Sequence, residues 1–180
     1  MRMKEHLILK TKEWIEKWVI GLNLCPFAKA PFIQDKIRYV VYEYQSTEEF
    51  SRILWNELFF LANESAEGIE TTFLIHPQLG IEFEDYLDLC EWANGHLEAL
   101  ELSGVIQIAE FHPSYQFAGT NRDDPENYTN RSPYQMMHLL KEESVTSAVE
   151  HYPSVEEIPQ KNINLLNQMG IERIQKIIKD

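Results

Sequence analysis

The stretch SPYQMMHLLKEESVTSAVE, residues 132–150, decides how many strands the chain has. It opens like a helix. Ser132 can cap, Pro133 is tolerated at the first helical position, and Gln135 stands where a capping box wants Glu or Gln. The spacing predicts one helix from Ser132 to about Glu150, with His138 and Glu142 four residues apart on the same face. Three strands then remain, all upstream. Three is thin for a covered sheet, so three to four are expected.

Immediately before this stretch lies a long connection, Glu110 to Pro133, reading EFHPSYQFAGTNRDDPENYTNRSP. Connections of this length are usually functional or disordered. Disordered segments lack aromatic residues, and this one carries Phe111, Tyr115, Phe117 and Tyr128. It reads as an ordered functional loop.

Further upstream, residues Ile37 to Tyr44, Thr71 to His76 and Val105 to Phe111 are β-branched or aromatic runs, read as strands. Between them fall two helical patterns. The first starts at the capping box Ser46-Thr47-Glu48-Glu49 and buries Phe50, Leu54, Leu58 and Leu61 by spacing. The second runs from Glu82 to Leu102 and contains Gly95. An N-terminal helix from Lys4 to Gly21 carries Trp14, Ile15, Trp18, Val19 and Leu22 on one face. Gly21 is expected to end it in the left-handed conformation. After Pro153, the box Ser154-Val155-Glu156-Glu157 introduces a C-terminal helical segment that Gly170 splits. Alternating strands and helices predict a single α/β domain over residues 1–180, with a small, mostly parallel three- to four-stranded sheet covered by helices.

Composition narrows the partners. The chain has 29 acidic and 16 basic residues, a net charge of -13. That field repels a phosphate backbone and speaks against nucleic-acid binding. No apolar run approaches the length of a membrane span, and Met1 to Lys12 lacks the apolar core of a signal peptide. Two cysteines, Cys25 and Cys90, make no disulfide framework. A cytoplasmic setting is expected, with a small anionic ligand as partner. Cys90 lies on an apolar helix face. Cys25 has no cation or helix N-terminus nearby in sequence to activate it, so a small buried apolar role is expected for it.

Ligands of open parallel sheets sit beyond the carboxyl ends of the strands. The first strand ends near Glu43, the second in Ile75-His76-Pro77 and the third in Glu110-Phe111-His112-Pro113. Period-two alternation puts Glu110 and His112 on one side. If the strands run parallel, His76, His112 and Glu110 converge. Imidazoles with carboxylates suit a divalent metal, with Asp123, Asp124 or Glu43 adding oxygens. They equally suit metal-free acid–base work. The metal-free use is preferred, because no His or Cys cluster has ligand spacing. The plainer alternative is that each His only caps its strand. Catalysis is therefore assigned to His112, oriented by Glu110, with His76 beside it. No Gly-rich cofactor loop occurs.

The second half of the loop suggests an anion. Arg122 and Arg131 can each hold a carboxylate or phosphate by paired hydrogen bonds, and Arg131 precedes the expected helix start at Ser132, where free amides favour an anion. Asn130, Tyr115 and Tyr128 complete the expected binding set. The competing use of the arginines is pairing with Asp123, Asp124 or Glu126 inside the loop.

Four segments, NLCPFA at Asn23–Ala28, TTFLIHP at Thr71–Pro77, FHPSYQFAGT at Phe111–Thr120 and NYTNRSPY at Asn127–Tyr134, resemble an uncharacterised bacterial domain-of-unknown-function family. Gln135 departs from the pattern, where a second Pro is expected. The resemblance implies a single-domain cytoplasmic bacterial protein and no activity. The residues themselves point to an enzyme of hydrolase type acting on a small phosphate- or carboxylate-bearing metabolite. The alternative is a non-catalytic module binding a small anion or a protein partner.

Overall fold

The computed structural model describes residues 3–44, 46–65, 68–77 and 82–179. Strands β1 (Ile37–Val41), β2 (Thr71–His76) and β3 (Ile106–Phe111) lie where the patterns put them. A fourth strand, β4 (Gln135–Lys141), occupies the first half of the stretch read as a helix. Only its second half is helical, as α5 (Glu142–Glu150).

The sheet order is β1-β2-β4-β3. β1 pairs parallel with β2, while β4 pairs antiparallel with both β2 and β3. Strands β1, β2 and β3 therefore point the same way, as the helical crossovers require. The insertion of β4 between β2 and β3 nevertheless makes two of the three ladders antiparallel. The mixed α/β class stands; the mostly parallel sheet is corrected. The reason is burial. β4 is covered on both faces, with Met136, Met137 and Leu139 fully buried, and a doubly buried strand reads as a continuous apolar run with no period of two.

One face of the sheet, carrying Leu74, Ile106, Met137 and Leu139, is covered by α3 (Thr47–Asn63) and α4 (Phe83–Ala99). The Ser46 half of the expected box forms: Ser46 Oγ accepts the Glu49 amide at 3.2 Å. Phe50, Leu54, Leu58 and Leu61 are fully buried, each contributing about 1.5–3 kcal/mol through area removed from water. The other face, carrying Val41, Phe73, Ile75 and Met136, is covered by α1 (Met3–Trp14), α6 (Ile158–Met169) and α7 (Ile171–Lys179). A short α2 (Lys29–Ile33) precedes β1. Among the described residues no helix is long and apolar enough to cross a membrane.

Two local expectations change and a third holds. α1 continues as a π-helical stretch, Ile15–Ile20, and Gly21 follows with φ of -60°. Gly21 is needed for close approach instead: a Cβ there would meet the Lys17 carbonyl oxygen at 2.2 Å, and Asn23 takes the positive φ. Ser154 itself sits in the left-handed region and caps nothing, so the second capping box does not form. Gly170, with φ of 72°, does separate α6 from α7.

Candidate functional site

β4 does more than complete the sheet. Its first residue, Gln135, pairs across the ladder with His76, the last residue of β2. On the other side, Phe111 pairs with Met136 as the last step of that ladder, and His112 follows one residue on, its amide donating to the Asn130 carbonyl at 3.2 Å. Alternation turns all three side chains toward the α3/α4 face. The two imidazoles thus lie at the carboxyl ends of β2 and β3, at the same end of the sheet as the Gln135 amide that begins β4.

All three are buried, at 2% exposure for His76, 5% for His112 and 4% for Gln135. Gln135 Nε2 meets His76 Nδ1 at 2.6 Å. Its Oε1 is buried without a hydrogen bond among the described residues. Turning the amide over only exchanges which of its two atoms is left over. His112 Nδ1 accepts the Ser114 amide at 3.0 Å, which puts the proton of the neutral ring on Nε2.

Aromatic rings pack around both imidazoles. Tyr42 and Tyr44 lie 5.2 Å from the His76 ring; Phe83 and Tyr86, from α4, lie 5.4 and 5.1 Å from His112. The Tyr86 hydroxyl accepts the Phe111 amide at 3.1 Å and donates to the Met136 carbonyl at 2.8 Å. It thereby ties β3 to β4 beside the imidazoles. Glu110 lies on the same side of β3, half-buried, and burial raises its carboxyl above the usual range. Burial also raises the Tyr86 and Tyr115 hydroxyls, and the Glu110 charge adds to both shifts.

The residues expected to bind an anion fall into a second group. The turn His112–Tyr115, closed by Tyr115 N–H on the His112 carbonyl at 3.1 Å, links this group to His112, whose amide donates to the Asn130 carbonyl at 3.2 Å. Arg131 Nε donates to the Tyr115 carbonyl at 3.0 Å and its Nη2 to the Arg122 carbonyl. The guanidinium lies 4.4 Å over the Tyr128 ring. It makes no ion pair among the described residues. Arg131, Ser132 and Tyr128 line one open pocket of about 330 Å³, with Trp14, Pro113, Gln175 and Ile178. Ser132 is no helix cap there, because β4 follows; its Oγ donates to the Tyr134 carbonyl. The amide-rich helix N-terminus expected at Ser132 does not exist. Asn130 Nδ2 donates to the Glu110 carbonyl at 3.1 Å. Tyr115 packs on Phe83 and Phe117, and Arg122 extends an exposed side chain.

The loop itself is held from within. Asn127, fully buried, accepts from the Phe117 amide and the Thr120 hydroxyl and donates to the Asn121 carbonyl. Asp124 accepts the Asn121 amide at 2.6 Å. Asp123 and Glu43 are exposed. Among the described residues no group of three or more His, Cys, Asp or Glu could hold a metal ion.

His138 leaves its expected helix, and its pairing with Glu142 goes with it. It stacks flat on Phe73, centroids 3.8 Å apart, and is bonded to the Thr71 hydroxyl. Some of the residue stays exposed, but the ring is enclosed, and burial pushes its pKa down to about 3. Burial raises the Cys25 thiol and pushes Cys90 up to about 12, which suits inert packing residues. A larger cavity, about 590 Å³, opens at the opposite end of the sheet around Gly104, Val105 and Lys141, and none of the expected site residues lines it.

Gln135, Tyr86, Tyr42 and Tyr44 were absent from the expected site. Tyr86 reads as one more apolar position on a helix, and Gln135 as part of a cap. Neither carries a signal until β4 is recognised as a strand.

A family model described as Protein of unknown function (DUF1415) matches residues 6–176. No curated protein and no solved structure matches the chain.

Proposed function

The chain therefore belongs to the DUF1415 family, of unknown function, and from its own residues we propose that it is an enzyme of hydrolase type. It acts on a small metabolite through an imidazole centre at the carboxyl ends of β2 and β3. One observation carries this reading: a buried amide, one atom of it unpaired among the described residues, bonded to one buried imidazole at the sheet end that also holds a second. An unsatisfied buried acceptor costs about 1–3 kcal/mol, and such groups persist where function needs them. A substrate N–H or O–H facing Gln135 Oε1 removes that cost.

The roles follow from the hydrogen bonds. His112 accepts the Ser114 amide at Nδ1, so its neutral ring carries the proton on Nε2. A neutral imidazole with its proton on Nε2 is a donor suited to polarising a carbonyl or phosphoryl oxygen. With Gln135 Nε2 donating to its Nδ1, neutral His76 likewise carries its proton on Nε2 and is a second donor toward the substrate. Glu110, raised by burial, keeps a carboxyl proton to higher pH than an exposed glutamate and serves as acid. Two free thiols suit the reducing cytoplasmic setting of the proposal.

Turnover of p-nitrophenyl acetate and p-nitrophenyl phosphate tests it, with His112→Gln and His76→Gln variants. Each should lose about 10²–10⁴-fold of the wild-type rate. Unchanged rates in both variants, or no wild-type turnover of either ester, would sink the hydrolase reading. A second reading, a non-catalytic module for a small anion, is favoured by the pocket that Arg131 lines.

A further inference from the structure

We propose that the pocket at Arg131 binds a small monocarboxylate with an aromatic or short alkyl body, its carboxylate on the guanidinium and its body against Trp14, Pro113 and Ile178. This rests on the small-anion reading and is independent of the imidazole centre.

The guanidinium is pre-organised. A guanidinium has five N–H donors, and Arg131 places two of them on the Tyr115 and Arg122 carbonyls, which leaves three without a partner among the described residues. Stacking on Tyr128 fixes its plane. An arginine held this way has already lost the side-chain freedom that binding otherwise costs, and its planar edge matches a carboxylate.

The walls select the rest of the ligand. Beside Arg131 the pocket is lined by Trp14, Pro113 and Ile178, with Ser132 and Gln175 as polar groups. Its roughly 330 Å³ lies at the small end of ligand sites. A narrower hollow of about 100 Å³ shares Trp14 and Ile178 with it and adds Trp18, Ile177, Lys10 and Lys17. In a chain of net charge -13, these two hollows hold three cations against one carboxylate, Glu13, which pairs with Lys10 at 2.8 Å. A local positive field with apolar walls favours a singly charged anion with an apolar body. A phosphate dianion would need further donors and would leave the walls uncovered.

The test follows the Arg131 Nε–H resonance by NMR during titration with benzoate, hexanoate, benzyl alcohol and inorganic phosphate. Benzoate and hexanoate should shift it saturably, while benzyl alcohol and phosphate should not. Ile178→Asp, at a position 43% exposed and therefore tolerant of change, puts a like charge at the rim and should weaken benzoate binding by about tenfold or more. Arg131→Lys keeps the charge but loses the planar pair, and should weaken it as well. Phosphate binding as tightly as benzoate would overturn the ligand class while leaving the anion reading. A resonance that none of the four moves would overturn both. Benzoate binding untouched by Ile178→Asp would overturn the location.

Discussion

His138 makes the stability of this protein depend on pH in one direction. The unfolded ring takes a proton near pH 6.5, the folded ring only near about 3. Between those values the unfolded chain holds more protons, so stability falls as pH drops from about 6.5 toward 3. The slope approaches about 1.4 kcal/mol per pH unit. Urea midpoints of the wild type and His138→Phe, measured across that window, should show the variant with the flatter dependence. Thr71 already donates to the Leu139 carbonyl at 2.7 Å, so losing the imidazole leaves its hydroxyl satisfied. Gln135→Leu separates function from stability at a neighbouring position on the same strand. It removes the unpaired amide atom and also the contact to His76, two opposing effects of about 1 kcal/mol each. The denaturation midpoint should move little while turnover is lost. A midpoint collapse would make Gln135 a structural residue.

β4 is the element on which the architecture turns. Its central position gives it two ladders and two covered faces, so truncation there is felt throughout the core. Leu139→Ala should cost about 2–5 kcal/mol in urea unfolding, against under 1 kcal/mol for a comparable change at exposed Leu9. α4 offers the opposite test. Gly95 lies in its interior, and a Cβ there would meet nothing within 4 Å. Gly95→Ala should raise stability by about 0.4–1 kcal/mol, chiefly by restricting the unfolded chain. The helices were legible because their apolar residues recur with the helical period and Ser46 caps as its sequence says. β4 was not legible, because Gln, Met, Leu and Lys favour helices and a run buried on both sides has no alternation to read.

Across the whole molecule, the N-terminal helix holds the functional loop in place. Trp14 Nε1 donates to the Arg131 carbonyl at 3.2 Å and Trp18 Nε1 to the Tyr128 carbonyl at 3.0 Å. Trp18 lies within the π-helical stretch that begins after Trp14, so that stretch sets the relative orientation of the two anchors. Trp18→Phe keeps a ring in the core and drops one hydrogen bond, worth about 0.5–1.5 kcal/mol. Amide exchange over residues 125–131 should then speed up while β2 and β4 stay protected. Equal acceleration everywhere would mean that the tryptophan acts through global stability alone.

By itself the sequence determined three strands, the helices on both faces and the polar strand ends, because each rests on contacts between residues close along the chain. It also marked His76, His112 and Arg131 as residues worth following. Only the tertiary structure decided that β4 enters between β2 and β3, that Gln135 thereby meets His76, and that Arg131 lines a pocket with Trp14 and Ile178. Pairing across a sheet is chosen by burial and ladder hydrogen bonds between segments distant in sequence, and no local period records that choice.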